Sequence, residues 1–232
     1  MKVKAVKTSI FQSKQNLISF IERYISKISD NTVLVVTSKI VALSEGRVEE
    51  NVDENSKLKI IKRESEFFLE TKYACLTMKD GVVMANAGVD ESNANGKIIL
   101  LPRDSFQTAR SLRNYFKHKY NLKNFGVIIS DSRSLPLRSG ITGVALGYAG
   151  FNGLKDYRKE LDIFGRPFHF SRVNVADSLA TAAVLCMGEG NERRPLALIS
   201  GFSVQSRERI NKKELKINIK EDIYGPMFKK FL

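Results

Sequence analysis

The chain has 232 residues, 43% of them hydrophobic, and carries 38 Lys and Arg against 25 Asp and Glu, a formal net charge of +13. Such a chain buries roughly 70–75% of its unfolded surface, enough for one large domain or two small intimate ones without a covalent staple. Cys75 and Cys186 lie in apolar contexts without CxxC spacing and read as buried thiols of a reducing compartment, and with only His118 and His169 beside them a zinc site is set aside.

The N-terminus, MKVKAVKTSIF, alternates like a strand and has no signal-peptide core, and nothing downstream reaches membrane-spanning length; a cytoplasmic protein without membrane association is expected. Residues 2–6 form the first strand, and Leu17, Ile18, Ile21, Tyr24, Ile25 and Ile28 then recur at helical spacing up to Asp30-Asn31. TVLVVT (32–37) is an apolar strand followed by Ser38, Lys39 and the turn Ser44-Glu45-Gly46. Residues 56–72 read as a helix with a solvated face of Lys57, Lys59, Lys62 and Arg63, and short strands follow near 73–77, 81–85 and 97–101. Asp104 or Ser105 caps a helix with Ala109, Leu112, Tyr115 and Phe116 on its core side and Arg110, Arg113, Lys117, Lys119 and Lys123 as its basic complement. The net charge favours a polyanionic partner, with lysine-rich coding bias as the plain alternative. A nucleic-acid face on the basic helix is set below the reading of its aromatics as core.

Two stretches share one design. GVVMANAGVDESN (81–93) runs from Val82, Val83 and Met84 into a turn where Gly88 allows a backbone that aims Asp90 and Asn93 to the side of Asn86. GVIISDS (126–132) ends the run Val127, Ile128, Ile129 in Asp131 between Ser130 and Ser132. Taken alone, the first reads as a hairpin turn, and both aspartates are placed on strand-end loops. If the two strand ends converge, carboxylates about 4 Å apart repel by roughly 4 kcal/mol at an effective dielectric near 20. A divalent cation relieves that, and Mg²⁺ prefers carboxylate and hydroxyl oxygens completed by substrate phosphates.

Further on, GITGVALGYAGFNG (140–153) alternates small and apolar residues, a pattern of close backbone or ligand approach. Asn174 caps a helix whose apolar face uses Val175, Leu179, Ala182, Ala183 and Cys186 and which ends at Gly188. PLALISGF (195–202) reads as a late strand, and LKINIK (215–220) alternates as an edge strand or arm. No GxxxxGK[ST], GxGxxG or GxSxG motif is present.

Four motifs in register, ANAGVDESN (85–93), ISDS (129–132), DYRKELDIFGRP (156–167) and VADSLATAAVLCMGEGNE (175–192), resemble the coenzyme F420:L-glutamate ligase family, the γ-glutamyl ligases that extend the tail of a deazaflavin coenzyme. The resemblance runs from about residue 33 to residue 200 and is absent from the C-terminal tail. It implies a mixed α/β (α+β) fold: a γ-glutamyl ligase-like domain over 1–205, with a less regular second lobe over about 135–190, a basic strand or arm over 206–232, and an intertwined homodimer. It implies an amide ligation through an acyl phosphate, driven by GTP or ATP with Mg²⁺ or Mn²⁺ at two sites and K⁺ as a possible companion. In that scheme Asp90 and Asp131 are catalytic and hold one metal, and Ser132 and Glu189 serve the second. Ser38, Lys39, Asn93, Met187, Gly188, Gly190, Asn191 and Glu192 hold the nucleotide. Asp156, Tyr157, Arg158 and Arg166 orient an anionic acceptor to be joined to L-glutamate.

The sequence departs from the family at three places. Leu43 stands where the family has a second lysine, and Glu189 where it has a glutamine. SRSLPLRSG (132–140) replaces a Thr-Phe-Gly-Arg-Pro run. The deazaflavin precursor is ranked just above a folate as acceptor, and a nucleotide-binding module without ligase activity is the competing class.

Overall fold

The computed structural model describes residues 1–50 and 52–228. In chain order the elements are β1 (Lys2–Val6), α1 (Leu17–Tyr24), β2 (Thr32–Thr37), α2 (Ser38–Ser44), β3 (Val48–Glu49), α3 (Glu54–Glu64), β4 (Phe67–Glu70), β5 (Cys75–Lys79), β6 (Val82–Ala85), β7 (Ile98–Ile99), α4 (Ser105–Lys119), β8 (Phe125–Ser134), β9 (Ile141–Phe151), β10 (Leu154–Asp156), β11 (Arg172–Asn174), α5 (Val175–Met187), β12 (Leu196–Ser200), β13 (Ser206–Arg207) and α6 (Gly225–Phe228).

Strands buried on both faces read as unbroken apolar runs, and β2 and the first half of β8 show why. In β2, Leu34 and Val36 join Val127 and Ile129 of β8 in one core with Phe20 and Ile21 of α1 and Leu112 and Phe116 of α4. The alternate residues Val33, Val35 and Ile128 face the other way, into a core with Ala176, Leu179, Ala183 and Met187 of α5. The result is a mixed α/β protein whose six-stranded sheet, ordered β1-β12-β2-β8-β9-β13, lies between helices. Only β2 and β8 run parallel, Thr32–Thr37 against Phe125–Ser130; every other neighbouring pair in that sheet is antiparallel.

Residues 48–101 carry a smaller core of their own, in which Ile60 and Ile61 of α3 pack on Cys75, Ala87, Val89, Ile98 and Leu100 beside the sheet β4-β5-β6. Against the expectation of a less regular second lobe over 135–190, β9 and α5 belong to the main sheet and its cover, and only the β10-β11 hairpin stands off as a separate two-stranded sheet. Gly143, Gly147, Gly150 and Gly153 serve close packing: a Cβ at Gly143 would lie 2.5 Å from the Ala180 carbonyl oxygen of α5. At Gly147 it would lie 2.4 Å from backbone atoms of Ser105 and Phe106 at the start of α4. The pairing slips by one residue between Ile129 and Ser130, which turns Gly143 and Gly147 toward opposite layers.

Several local expectations are corrected. Helix α1 stops at Tyr24, where Ile25 turns extended, although Ile25 and Ile28 remain buried because the chain still crosses the core. The segment 56–72 is helical only to Glu64 and then forms β4 against β5. Tyr115 is an exposed edge residue whose hydroxyl donates to Glu22 (2.6 Å), not a core side chain. Cys75 is buried as expected, but Cys186 is exposed, because the buried stripe of α5 runs Ala176, Ala180, Ala183, Met187. Residues 215–220 form no strand: Leu215 packs on the α5 core while Ile217 is exposed. Residues 229–232 of the expected arm lie outside the described residues.

That tail is anchored by charge. Glu214 accepts hydrogen bonds from the Tyr148 hydroxyl (2.5 Å), the Gly153 amide (2.8 Å) and Arg207 (2.9 Å). Arg113 of α4, 2% exposed rather than solvated, donates from both Nη atoms to Glu208 at 2.8 Å and from Nε to the Phe125 carbonyl. Arg113 and Lys117 hold the Glu208 carboxyl down to about 2. A carboxyl lowered on folding stabilises above its unfolded value of 4.5 and loses that contribution as pH falls toward the folded value. Glu208→Gln is therefore expected to cost about 1 kcal/mol near neutrality, a modest figure because Glu208 is mostly exposed and screened. The gap to the unmodified protein should close between about pH 5 and pH 2, read by urea denaturation across pH; a gap independent of pH would refute the assignment.

Candidate active site

The 86–93 turn is pinned from below. Asn86 and Ala87 take left-handed backbones (φ 51° and 52°) and Gly88 follows at 71°. Left-handed geometry costs non-glycine residues about 1 kcal/mol each, and here buried hydrogen bonds hold it: the Ala87 amide donates to Thr77 Oγ1 at 2.7 Å and the Cys75 amide to Asn86 Oδ1 at 2.8 Å. Asn86 is thus turned back into the small sheet rather than toward Asp90. A Cβ on Gly88 would lie 2.5 Å from Leu101. Past the turn, Asp90 exchanges two backbone hydrogen bonds with Ile99 (2.9 and 2.8 Å), which fixes its side chain over the end of β2.

The second half of the site follows from register. Because β2 and β8 run parallel with Thr37 beside Ser130, the next residues of each, Ser38 and Asp131, are neighbours, and Ser38 Oγ donates to Asp131 Oδ1 at 3.2 Å. The crevice at the carboxyl end of adjacent parallel strands is a usual place for a ligand. Asp131 lies within β8, which continues to Ser134 against β9, so it sits on a rigid strand and not on the loop the sequence suggested. Lys39, the next residue of α2, joins the halves: its ammonium lies 2.8 Å from Asp90 Oδ2 and donates to the Ser92 carbonyl and hydroxyl at 2.7 and 3.0 Å.

The loop after α5 closes the third side. Asn93 Nδ2 donates to the Gly190 carbonyl (3.0 Å), and Glu192 folds back to accept the Gly190 amide (2.8 Å). Gly188 is left-handed (φ 80°), and a Cβ there would lie 2.4 Å from the Glu192 carboxyl. Asn191 is exposed, and Met187 has its side chain in the α5 core, so it offers a ligand only its backbone. Leu43 packs against the main core and against Ala42, Ala94 and Ile99, a structural place with no charge to give.

The charges record the convergence. Burial raises the Asp131 carboxyl above the ordinary aspartate value against the pull of Arg133, the Ser132 amide and Ser38, and Asp90 adds to the rise. Glu189 is raised by partial burial, against the nearby Ser132 hydroxyl, with Asp131 and Asp90 pushing it further up. Burial also pushes Asp90 up, but Lys39 and Ser92 outweigh it and leave the carboxyl below its usual range. Three carboxylates that feel one another, one lysine and two serine hydroxyls make a hard oxygen set short of positive charge. Among the described residues no three His, Cys, Asp or Glu side chains are gathered tightly enough to enclose an ion.

Asp156, Tyr157, Arg158 and Arg166 are elsewhere. Asp131 pairs with Val144 near the start of β9, and β10 begins beyond Phe151 at its far end, roughly 23 Å along the strand. There Arg158 Nε grips Asp156 at 2.9 and 3.0 Å and holds its carboxyl down to about 2, while the Arg166 amide donates to Asp162. One chain does not bring these four to the aspartates. Reading by motif also missed Ser92, Arg133 and Asp177. Arg133 was visible in principle, since it is two residues from Asp131 on a strand and shares its face.

The fold and site define a mixed α/β protein with an acidic, lysine-bridged crevice at the end of the parallel pair β2 and β8. The chain belongs to the F420-0:gamma-glutamyl ligase family, whose model matches residues 5–201. It is 42% identical over 141 residues to a coenzyme F420:L-glutamate ligase of Methanococcus maripaludis strain C7, covering 59% of this chain and 56% of that protein. With the same-named protein of Methanopyrus kandleri it shares 38% over 148 residues, 62% of this chain and 58% of the relative. These matches span less than two thirds of those relatives. A longer match, 35% over 216 residues, takes in 86% of this chain and 83% of the protein from Methanococcus maripaludis strain S2. Among the described residues no helix is long and apolar enough to cross a membrane.

Proposed function

We propose that the chain is a nucleotide-dependent γ-glutamyl ligase that joins the amine of L-glutamate to a terminal carboxylate of an anionic acceptor, with the F420 precursor F420-0 as the acceptor. The observation that carries this reading is the pairing of Ser38 with Asp131 and of Lys39 with Asp90 at the end of the parallel pair, with Glu189 beside Ser132. In the reaction an acceptor carboxylate oxygen attacks the γ-phosphorus of GTP or ATP, the nucleoside diphosphate leaves, and an acyl phosphate remains. The glutamate amine then attacks the acyl carbon, phosphate departs, and the amine proton is lost to solvent or to a carboxylate of the site.

Asp90, Asp131, Glu189 and Ser132 would hold Mg²⁺ or Mn²⁺, which would supply charge to offset that of the phosphates and of the transferring group. Lys39 supplies a fixed cation beside the same oxygens, and Ser38 orients Asp131. Asn93 and the 188–192 loop, already joined by one hydrogen bond, flank the nucleotide. Most of the work is positioning and charge neutralisation.

The test is incubation of purified protein with Mg²⁺ or Mn²⁺, K⁺, GTP or ATP and L-glutamate, offering F420-0 and a folate separately and reading products by mass spectrometry. One added glutamyl residue with stoichiometric phosphate release is expected with F420-0. Product from folate alone would reassign the acceptor, and nucleotide retention without phosphate release would leave a binding module.

A further inference from the structure

Beside the aspartate site lies a cavity of about 310 Å³ that contains none of Ser38, Lys39, Asn93 or the 187–192 segment. Its walls are apolar in large part, with Met84, Leu101, Phe106 and Leu215 among them. Its charges are five cations, Lys79, Arg103, Arg133, Lys212 and Lys216, against three acids, Asp80, Asp104 and Asp177. The acids are in part already committed. Asp177 accepts the Ala145 amide (2.8 Å) and Asn174 Nδ2 (2.6 Å), and Asp104 caps α4 and pairs with Lys212.

Among the cations, Lys79 is paired with Glu64, whereas the side chains of Arg103, Lys216 and Arg133 make no ion pair among the described residues. Arg133 stands out because its Nε is buried with no hydrogen-bond partner. A buried, unpaired donor on a charged group is costly to leave unsatisfied. Its nearest acids, Asp131 and Asp177, act on it only through space.

We propose, resting on the ligase reading above, that this cavity is the acceptor site. Arg133 takes the acceptor's anionic end, Arg103 and Lys216 hold further negative charge at the rim, and the apolar walls cover the carbon skeleton. Location selects the acceptor over the other substrates. Arg133 is two residues from Asp131 on one strand face, roughly 7 Å away, so a carboxylate held there lies within reach of a phosphoryl group at Asp131. The nucleotide's expected contacts line none of the cavity, and a zwitterionic amino acid would leave apolar walls and spare cations without a partner. A volume near 310 Å³ is that of a pocket for a substantial organic ligand.

The experiment is direct titration of F420-0 and, separately, folate monoglutamate, with Mg²⁺ and a non-hydrolysable GTP analogue present and absent. The intact protein is compared with Arg133→Met and with Lys216→Glu, the latter an exposed substitution with little bearing on folding. Arg133→Met is expected to weaken acceptor binding at least tenfold and Lys216→Glu severalfold with a reduced salt dependence, while affinity for the nucleotide analogue is unchanged. Acceptor affinity unaltered in both variants, no acceptor binding by the unmodified protein, or equal loss of nucleotide binding would each overturn the proposal. Ligase turnover of the unmodified protein is scored independently. Product formation with variant-insensitive binding removes this site and leaves the ligase reading, whereas variant-sensitive binding without product does the reverse.

Discussion

Asp131→Asn and Asp90→Asn should each lower turnover by roughly a thousandfold or more, the scale on which loss of one preorganised electrostatic group acts, while leaving the fold intact. Asparagine keeps the shape of both side chains and an oxygen for the Ser38 and Ser92 hydrogen bonds, so only charge is removed. For Asp90 the lost pairing with Lys39 is half-exposed and worth at most about 1 kcal/mol. For Asp131 the sign is opposite. Its carboxyl is raised in the folded protein by burial and by Asp90, so above its unfolded value of 3.8 the ionised form disfavours folding. Metal-free Asp131→Asn should therefore melt slightly higher than the unmodified protein near neutral pH, and the difference should vanish below about pH 4. Product formation, circular dichroism and melting are to be measured on the same samples. Near-normal turnover in either variant with Mg²⁺ or Mn²⁺ supplied would falsify the metal assignment.

Gly147→Ala is expected to be a strongly damaging small substitution in the main sheet. The added carbon meets Phe106 N and Ser105 C at 2.4 Å and Ser105 O at 2.7 Å, all backbone, at the point where α4 begins. Backbone cannot rotate away as a side chain does, so α4 must shift off β9. Overpacking of this kind costs about 3 kcal/mol, which for a chain of this size is a fall in melting midpoint of roughly 10 °C. Gly140→Ala is the control: its φ of 88° strains an alanine, but nothing lies within 4 Å. If the two variants melt together, the approach of α4 is not what requires glycine at Gly147.

Much of this was legible in the chain itself. TVLVVT and GVIIS announced strands buried on both faces, and the turn residues after Met84 announced the bend that places Asp90. What periodicity does not carry is orientation between distant segments. That β2 and β8 lie side by side and parallel is decided by their shared cores, and only that pairing makes Ser38 a neighbour of Asp131. Alternation misled at 215–220, where Glu214 anchors the tail in another conformation and the pattern of LKINIK has no strand to pair with. The burial of Arg113 could not be read from its helix, because its partner Glu208 comes 95 residues later. The four residues of DYRKELDIFGRP failed to reach the site for a simpler reason, strand length: β9 carries them to its opposite end.

The parallel alignment of β2 and β8 also sets when the crevice can come into being. Ser38 and Asp131 are 93 residues apart in sequence, and Asn93 and Gly190 are 97 apart. Loop closure over such separations is slow compared with forming a helix such as α4 or a local sheet such as β4-β5-β6. No early, locally ordered form of the chain brings its acidic residues into one place, and their mutual repulsion is deferred until the main sheet has closed around them. Competence for chemistry is thus a late property of folding, acquired together with the longest-range contacts and lost with them first.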